Sequence, residues 1–324
     1  MTIIVTGSVA YDYIMSFPGR FKDHILPEKI ESLSVSFLVD SMRRERGGCA
    51  PNIAYTLRLL GQRPYIVAAV GQDFGDYRRW LEEQGIDISG IRVYEDDFTA
   101  SFFVSTDLDN NQIATFYIGA MRRAAELSLH DVPLSDAALV VVSPNDPTAM
   151  VKYVRECKEL GLPYMYDPSQ QIVRLSGDEL LEGVQGARVL VVNEYEFEML
   201  KHKTGLEDEA IWERAQTTII TRGPRGSVII EGDQRMEIPV VPPRRVAEPT
   251  GVGDAYRAGV IAGMMAGLPW EVAGRVGSLA ATYVLEEYGT QNHHFTLEEF
   301  IARYRQVFGD APELAKLVER AVMQ

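Results

Sequence analysis

The chain has 324 residues, of which 46% are hydrophobic and 24% charged, a globular composition outside the disordered, collagen-like and membrane classes. Its 46 acidic against 32 basic side chains give a formal charge of −14, which counts against nucleic acid or an anionic membrane as main partner. Cys49 and Cys157 are too few for a disulfide framework or a Cys-based zinc site. No basic-then-apolar leader and no long apolar run is present, so a soluble cytoplasmic chain of one large α/β domain plus an accessory piece, or of two domains, is expected.

In chain order, short apolar runs at 3–6, 65–70, 138–143, 164–166, 189–192, 218–221 and 227–230 read as strands buried on both faces of a parallel sheet. Helical patterns at 52–60, 76–84 and 148–160 each stop at a glycine, and 256–268, 271–287, 297–307 and 312–323 are helical too. Strand, helix, glycine, strand in repetition argues for βαβ units. Two segments break this rhythm. The stretch 29–40 alternates polar and apolar residues like one or two strands, and 99–106 and 112–118 flank the turn cluster Asp107-Leu-Asp-Asn-Asn111 as a hairpin. Alternation wants one covered and one wet face, so a small separate sheet is expected to lie over a pocket or another subunit.

Chemistry concentrates at strand ends. In Glu248-Pro-Thr-Gly-Val-Gly-Asp254, two glycines precede a run of small residues that starts a helix, where free N–H groups and the helix dipole make an anion site. Asp254 at its mouth suits a base for an attacking hydroxyl during phosphoryl transfer, with Gly251, Val252 and Gly253 lining the hole; it also fits a plain first-turn Asp. Arg46-Gly47-Gly48-Cys-Ala-Pro-Asn52 brings backbone close to a ligand at another helix start, or simply caps it with Asn52. Asp12 follows the first strand, where a carboxylate accepts two hydrogen bonds from a vicinal diol or stands solvated in a loop. Asn193-Glu-Tyr-Glu196 and Thr221-Arg-Gly223-Pro-Arg-Gly226 place polar groups within reach of phosphate or Mg²⁺-bound water, and equally make an ordinary helix start and turn. The Gly-x-Gly-x-x-Gly fingerprint fails at Tyr256, and P-loop, zincin and α/β-hydrolase motifs are absent. His293 and His294 lack metal-spaced partners and read as surface residues.

Asp12, Gly-Gly-x-x-x-Asn, Asn-x-x-Glu, Thr-x-Gly-x-x-Gly and Gly-x-Gly-Asp occur in the order used by the ribokinase-like (pfkB) carbohydrate and nucleoside kinases, which the chain resembles over nearly its whole length. Phe17-Pro-Gly-Arg-Phe, Ser34-Val-Ser-Phe-Leu-Val-Asp, Asp167-Pro-Ser-Gln-Gln and Gly289-Thr-Gln are similar to the bacterial adenosine-kinase branch. The resemblance implies a three-layer α/β/α sandwich with a mainly parallel central sheet from residues 1–14, 48–96 and 122–324, and a β-sheet lid from 15–47 and 97–121. It implies ATP with Mg²⁺ as donor and a ribonucleoside 5′-hydroxyl, most of all adenosine's, as acceptor. Asp12 would bind the ribose diol with Gly47, Gly48, Asn52, Ser8 and Ser36; Asn193, Glu196, Thr221, Gly223 and Gly226 would serve ATP, with Glu196 meeting Mg²⁺ through water. Arg174 matches a basic residue near the phosphates, and Phe102 and Phe116 would stack on the purine, or else pack the lid. A homodimer pairing two lids is expected in the same way. A sugar kinase of the same fold and a catalytically silent ligand sensor are the rival readings.

Overall fold

The computed structural model describes residues 1–32 and 34–322. The first half runs β1 (Thr2–Thr6), β2 (Ala10–Ser16), β3 (Ser41–Gly47), α1 (Cys49–Leu59), β4 (Arg63–Gly71), α2 (Gly75–Glu83), β5 (Asp87–Tyr94), β6 (Ala100–Thr106), β7 (Gln112–Tyr117) and β8 (Ala137–Val142). Then come α3 (Pro147–Glu159), β9 (Tyr164–Tyr166), α4 (Gly177–Val184), β10 (Val189–Asn193), α5 (Glu194–Thr204), α6 (Asp208–Trp212) and β11 (Thr218–Thr221). The chain ends with β12 (Ser227–Glu231), β13 (Gln234–Ile238), α7 (Val252–Met265), α8 (Trp270–Leu285), α9 (Leu297–Phe308) and α10 (Ala315–Val322).

Nine strands form one sheet in the order β13-β12-β11-β10-β9-β8-β1-β4-β5, parallel from β11 to β5 and antiparallel at β12 and β13. Successive side chains of a strand point to opposite faces. Ile3 and Val5 therefore join Ile53 and Leu57 of α1 and Val260 and Ile261 of α7. Ile4 joins Met150 and Val154 of α3 and Phe197 of α5 on the other side. Every one of these side chains is buried, which gives the three-layer α/β/α sandwich. Because β1 lies between β4 and β8, the chain departs from it to both sides, and the crevice so opened at the carboxyl ends of the strands is where open α/β sheets bind ligands.

The second sheet has the order β3-β2-β6-β7, with β2 and β6 parallel and both edges antiparallel. It takes in the chain from Ala10, five residues before the expected lid boundary. The strand expected in 29–40 is absent: Pro27–Ser32 is a 3-10 turn, 34–39 has no regular structure, and Ser34–Ser36 are exposed; Leu33, part of that expectation, lies outside the described residues. Phe37 instead packs edge-on against Phe17 and Phe21. The outer strand is β3, carrying Arg43, Arg44, Glu45 and Arg46, charges that blunt an edge. Unexpected too were β5 and β13, half-polar sheet edges without a continuous apolar run. No helix among the described residues is long and apolar enough to cross a membrane.

Candidate active site

Helix α7 begins at Gly251, whose left-handed φ of 79° turns the chain into it without a side-chain cap. Val252 N–H leans on Pro249 O at 3.4 Å, while the amides of Gly253 and Asp254 have no partner among the described residues, so the first turn presents free donors. Asp254 itself is buried, and its Oδ2 accepts from Asn52 Nδ2 at 2.9 Å. Burial raises the pKa of this carboxylate, against the pull of Arg257 and of hydrogen bonds from Asn52 and the Cys49 thiol.

Asn52 is oriented by what its oxygen receives. Oδ1 accepts from Gln291 Nε2 at 2.7 Å and from Thr290 Oγ1 at 2.8 Å, which leaves Nδ2 for Asp254. Gln291 Nε2 also reaches Tyr77 Oη at 2.6 Å, and that hydroxyl donates to Gly47 O at 2.9 Å. A continuous set of hydrogen bonds thus runs from Asp254 to the Gly47–Gly48 step. Gly48, with φ 96° and ψ 140°, occupies a backbone region that only glycine enters readily. At Gly47 a Cβ would stand 2.5 Å from Asp12 Oδ2, so glycine there lets the Asp12 carboxylate lie against the backbone.

Asp12 faces Glu45 across β3 and Phe102 across β6, and Phe102 faces Phe116 across β7. Directly opposed residues share a sheet face, so one row reads Glu45, Asp12, Phe102, Phe116: carboxylates beside two aromatic rings. Phe116 is 47% exposed and Phe102 half-buried. Burial pushes Asp12 up to about 6, helped by the charges of Glu248 and Glu45.

Beside the start of α7 opens a cleft of about 650 Å³. Val252, Gly253, Asn193, Thr221, Gly223 and Gly226 line one part of it, and Val240, Val241, Pro243, Val246, Ala281 and Leu285 give it an apolar wall. That wall, largely the Pro-rich segment after β13 and the inner side of α8, carried no motif by which sequence reasoning could find it.

Other expected site residues sit differently. Ser8 Oγ accepts from Cys49 N–H at 3.1 Å and so holds the start of α1. Asn193 and Glu196 cap α5 reciprocally, each side chain accepting the other's N–H at 2.8 Å; this is the ordinary helix start, with the second Glu196 carboxylate oxygen left over. Arg174 is exposed and donates to Gln171 Oε1 at 3.3 Å. Ser36 is exposed on the irregular segment before β3, with no hydrogen bond to these side chains among the described residues. His293 is fully buried, contrary to the surface expectation, against Tyr55 and Thr56, whereas His294 is exposed. Arg257, three residues beyond Asp254 on a helix of small residues, and Asp167, which it pairs with and which enters the sequence reading only within a family-like motif, received no role there; an arginine at that spacing was the available signal.

The chain belongs to the pfkB family of carbohydrate kinases, whose model matches residues 6–296. A nucleoside kinase of Methanocaldococcus jannaschii is 31% identical over 303 residues, 93% of this chain and 96% of the relative. The Burkholderia thailandensis nucleoside kinase in complex with inosine superposes with a TM-score of 0.85 at 37% identity, covering 95% of this chain and 98% of that one. Its ADP–inosine complex gives 0.83 at 38%, covering 95% and 96%.

Proposed function

We propose that the protein is an ATP-dependent nucleoside kinase that phosphorylates the 5′-hydroxyl of a ribonucleoside. Adenosine is the acceptor that the resemblance to the adenosine-kinase branch implies; inosine, bound by the Burkholderia relative, is the second purine to test. One observation carries the reading. The free amides of α7 border the 650 Å³ cleft on one side, while Asp254 beside them is tied through Asn52 towards the Asp12–Phe102–Phe116 row on the other. Donor and acceptor regions therefore meet at one carboxylate.

In this reading the apolar wall takes the adenine, and the ATP phosphates run past Thr221, Gly223 and Gly226 to the N–H groups of Gly253 and Asp254. Those amides stabilise charge on the transferred phosphoryl group. Asp12 accepts the ribose hydroxyls and the two Phe rings take the flat base, faces that a bare sugar does not require. Asp254 receives the proton of the 5′-hydroxyl as that oxygen attacks in line. Closure of the small sheet excludes water, so ATP hydrolysis does not compete. No cluster of three metal-binding side chains exists among the described residues, which suits Mg²⁺ carried on ATP: that ion keeps several waters and needs few protein carboxylates. Glu196 would meet it through water, and Mg²⁺ would supply charge neutralisation between the phosphates.

The lid face opposite Asp12 leaves Met42, Phe103, Ile113 and Tyr117 uncovered, which supports a dimer through the lids, testable by sedimentation. The unpaired Cys49 and Cys157 suit a cytoplasmic setting. The functional test is ADP release with adenosine, inosine, guanosine, cytidine and ribose. Nucleoside-dependent release, lowered about 10²–10⁴-fold in Asp254→Asn, is expected. Release with ribose alone favours the sugar kinase, and nucleoside binding without release favours the sensor.

A further inference from the structure

We propose that Arg257, shared between Asp167 and Asp254 beneath the start of α7, is a positioning residue that holds the Asp254 carboxylate ionised and aimed at the cleft. The inference rests on the reading of Asp254 as the base. An arginine on the buried face of a helix is expensive unless its charge is matched and its N–H groups are used. Here Nη2 donates to Asp167 Oδ1 at 2.7 Å, Nε lies 2.6 Å from Asp167 Oδ2, and Nη1 stands 3.8 Å from Asp254 Oδ1. Asp167 is fully buried at the carboxyl end of β9, so the guanidinium is anchored from the sheet, not from its own helix.

The glycine step of the anion hole is cut to fit this side chain. A Cβ on Gly253 would lie 2.7 Å from Arg257 Nη1, so the guanidinium passes directly against the backbone whose amide faces the phosphoryl site. The charged and titratable groups around it come from four elements: Asp254 on α7, Asp167 after β9, Glu196 on α5 and the Cys49 thiol on α1. Three acids around one cation leave it divided. Asp254 receives only part of its charge, which opposes the effect of burial on the carboxylate without cancelling it. Asn52 fixes Oδ2 and Arg257 attracts Oδ1, so the carboxylate plane is held from two sides.

Asp167 and Arg257 therefore act on Asp254 in opposite directions. Removing only the Asp167 charge gives Asp254 a larger share of the cation and moves its titration to lower pH. Removing both charges with Arg257→Met/Asp167→Asn, a change that leaves neither member of the Arg257–Asp167 pair without its partner, withdraws the cation from Asp254 and moves its titration up by roughly one pH unit, given a partly shared charge at this distance. Arg257→Lys keeps a cation and restores most of the wild-type position.

The test has two readouts. The acidic limb of kcat/KM for the nucleoside should shift down in Asp167→Asn, up in the double variant and little in Arg257→Lys. Titration of the Asp254 carboxyl carbon by NMR, assigned by difference from Asp254→Asn, should follow the same order without turnover. If wild type phosphorylates no nucleoside, the base reading fails while the carboxyl titration still decides the role of Arg257. Asp167→Asn, which preserves shape, carries the test if the double variant does not fold. Folded variants whose carboxyl titration stays at the wild-type position overturn the proposal.

Discussion

Replacing Gly47 by alanine isolates the proposed diol carboxylate from the rest of the fold. The added Cβ would stand 2.5 Å from Asp12 Oδ2 and 3.0 Å from its Cγ, so the carboxylate must withdraw by about 1 Å to reach ordinary contact. What moves is a side-chain end, so the fold can absorb the change. Hydrogen bonds to an ionised oxygen are worth about 1.5–3 kcal/mol each. Losing one of the two ribose contacts should raise the nucleoside KM roughly 10–100-fold. Gly48→Ala makes the contrast: its Cβ meets Ser8 O at 2.5 Å and Ala10 N at 2.7 Å, both backbone atoms, at a φ of 96°. It should lower Tm by several degrees, since each kcal/mol is worth about 2–4 °C in chains of this order of size. The assay is initial rate against nucleoside at saturating ATP, then against ATP at saturating nucleoside, with Tm for both variants. Gly47→Ala with an unchanged nucleoside KM, or with equal losses for nucleoside and ATP, refutes the Asp12 assignment.

Asp254→Asn should lower kcat by about 10²–10⁴ while nucleoside affinity survives, measured by calorimetry beside turnover. Asp12 titrates near 6, so it is ionised above that pH and protonated below. Nucleoside Kd should therefore rise about tenfold per unit as pH falls below 6, and ATP Kd should not. His293 is held neutral by burial down to about 3, while its unfolded counterpart takes a proton near 6.5. The unfolded state then binds one proton more between those values, and stability is lost as pH falls from 6.5. His293→Gln should flatten urea-derived ΔG against pH there by about 1.4 kcal/mol per unit, and an unchanged slope contradicts the buried neutral ring. Phe116→Ala should weaken nucleoside binding by about 1–3 kcal/mol; no effect would make the ring a plain lid residue.

The parallel core was legible because its strands are apolar without interruption and its first helices stop at glycines, as at Gly61, Gly85 and Gly161. Edges were not. β5, β13 and β3 are half-polar or charged, and their pairing is decided by neighbours that local pattern cannot name. The apolar alternation before β3 was misread because Phe37 joins the aromatic cluster of Phe17 and Phe21 from an irregular segment. At the site, motifs at strand ends and helix starts were visible, since those positions demand Gly, Asn and Asp. The partners that orient them were hidden. Tyr77 and Gln291 lie 214 residues apart and meet only through folding, as do Arg257 and Asp167, 90 apart. His293 lay in a polar stretch that gave no sign of burial.

The measurement that bears most directly on the phosphoryl-transfer account is a crystal structure with a purine nucleoside and a non-hydrolysable ATP analogue bound together. The account predicts the 5′-oxygen within about 2.6–3.2 Å of an Asp254 oxygen, opposite a terminal phosphate held by the Gly253 and Asp254 amides. A nucleoside seated with its 5′-oxygen away from Asp254, or phosphates that bypass the start of α7, would contradict it.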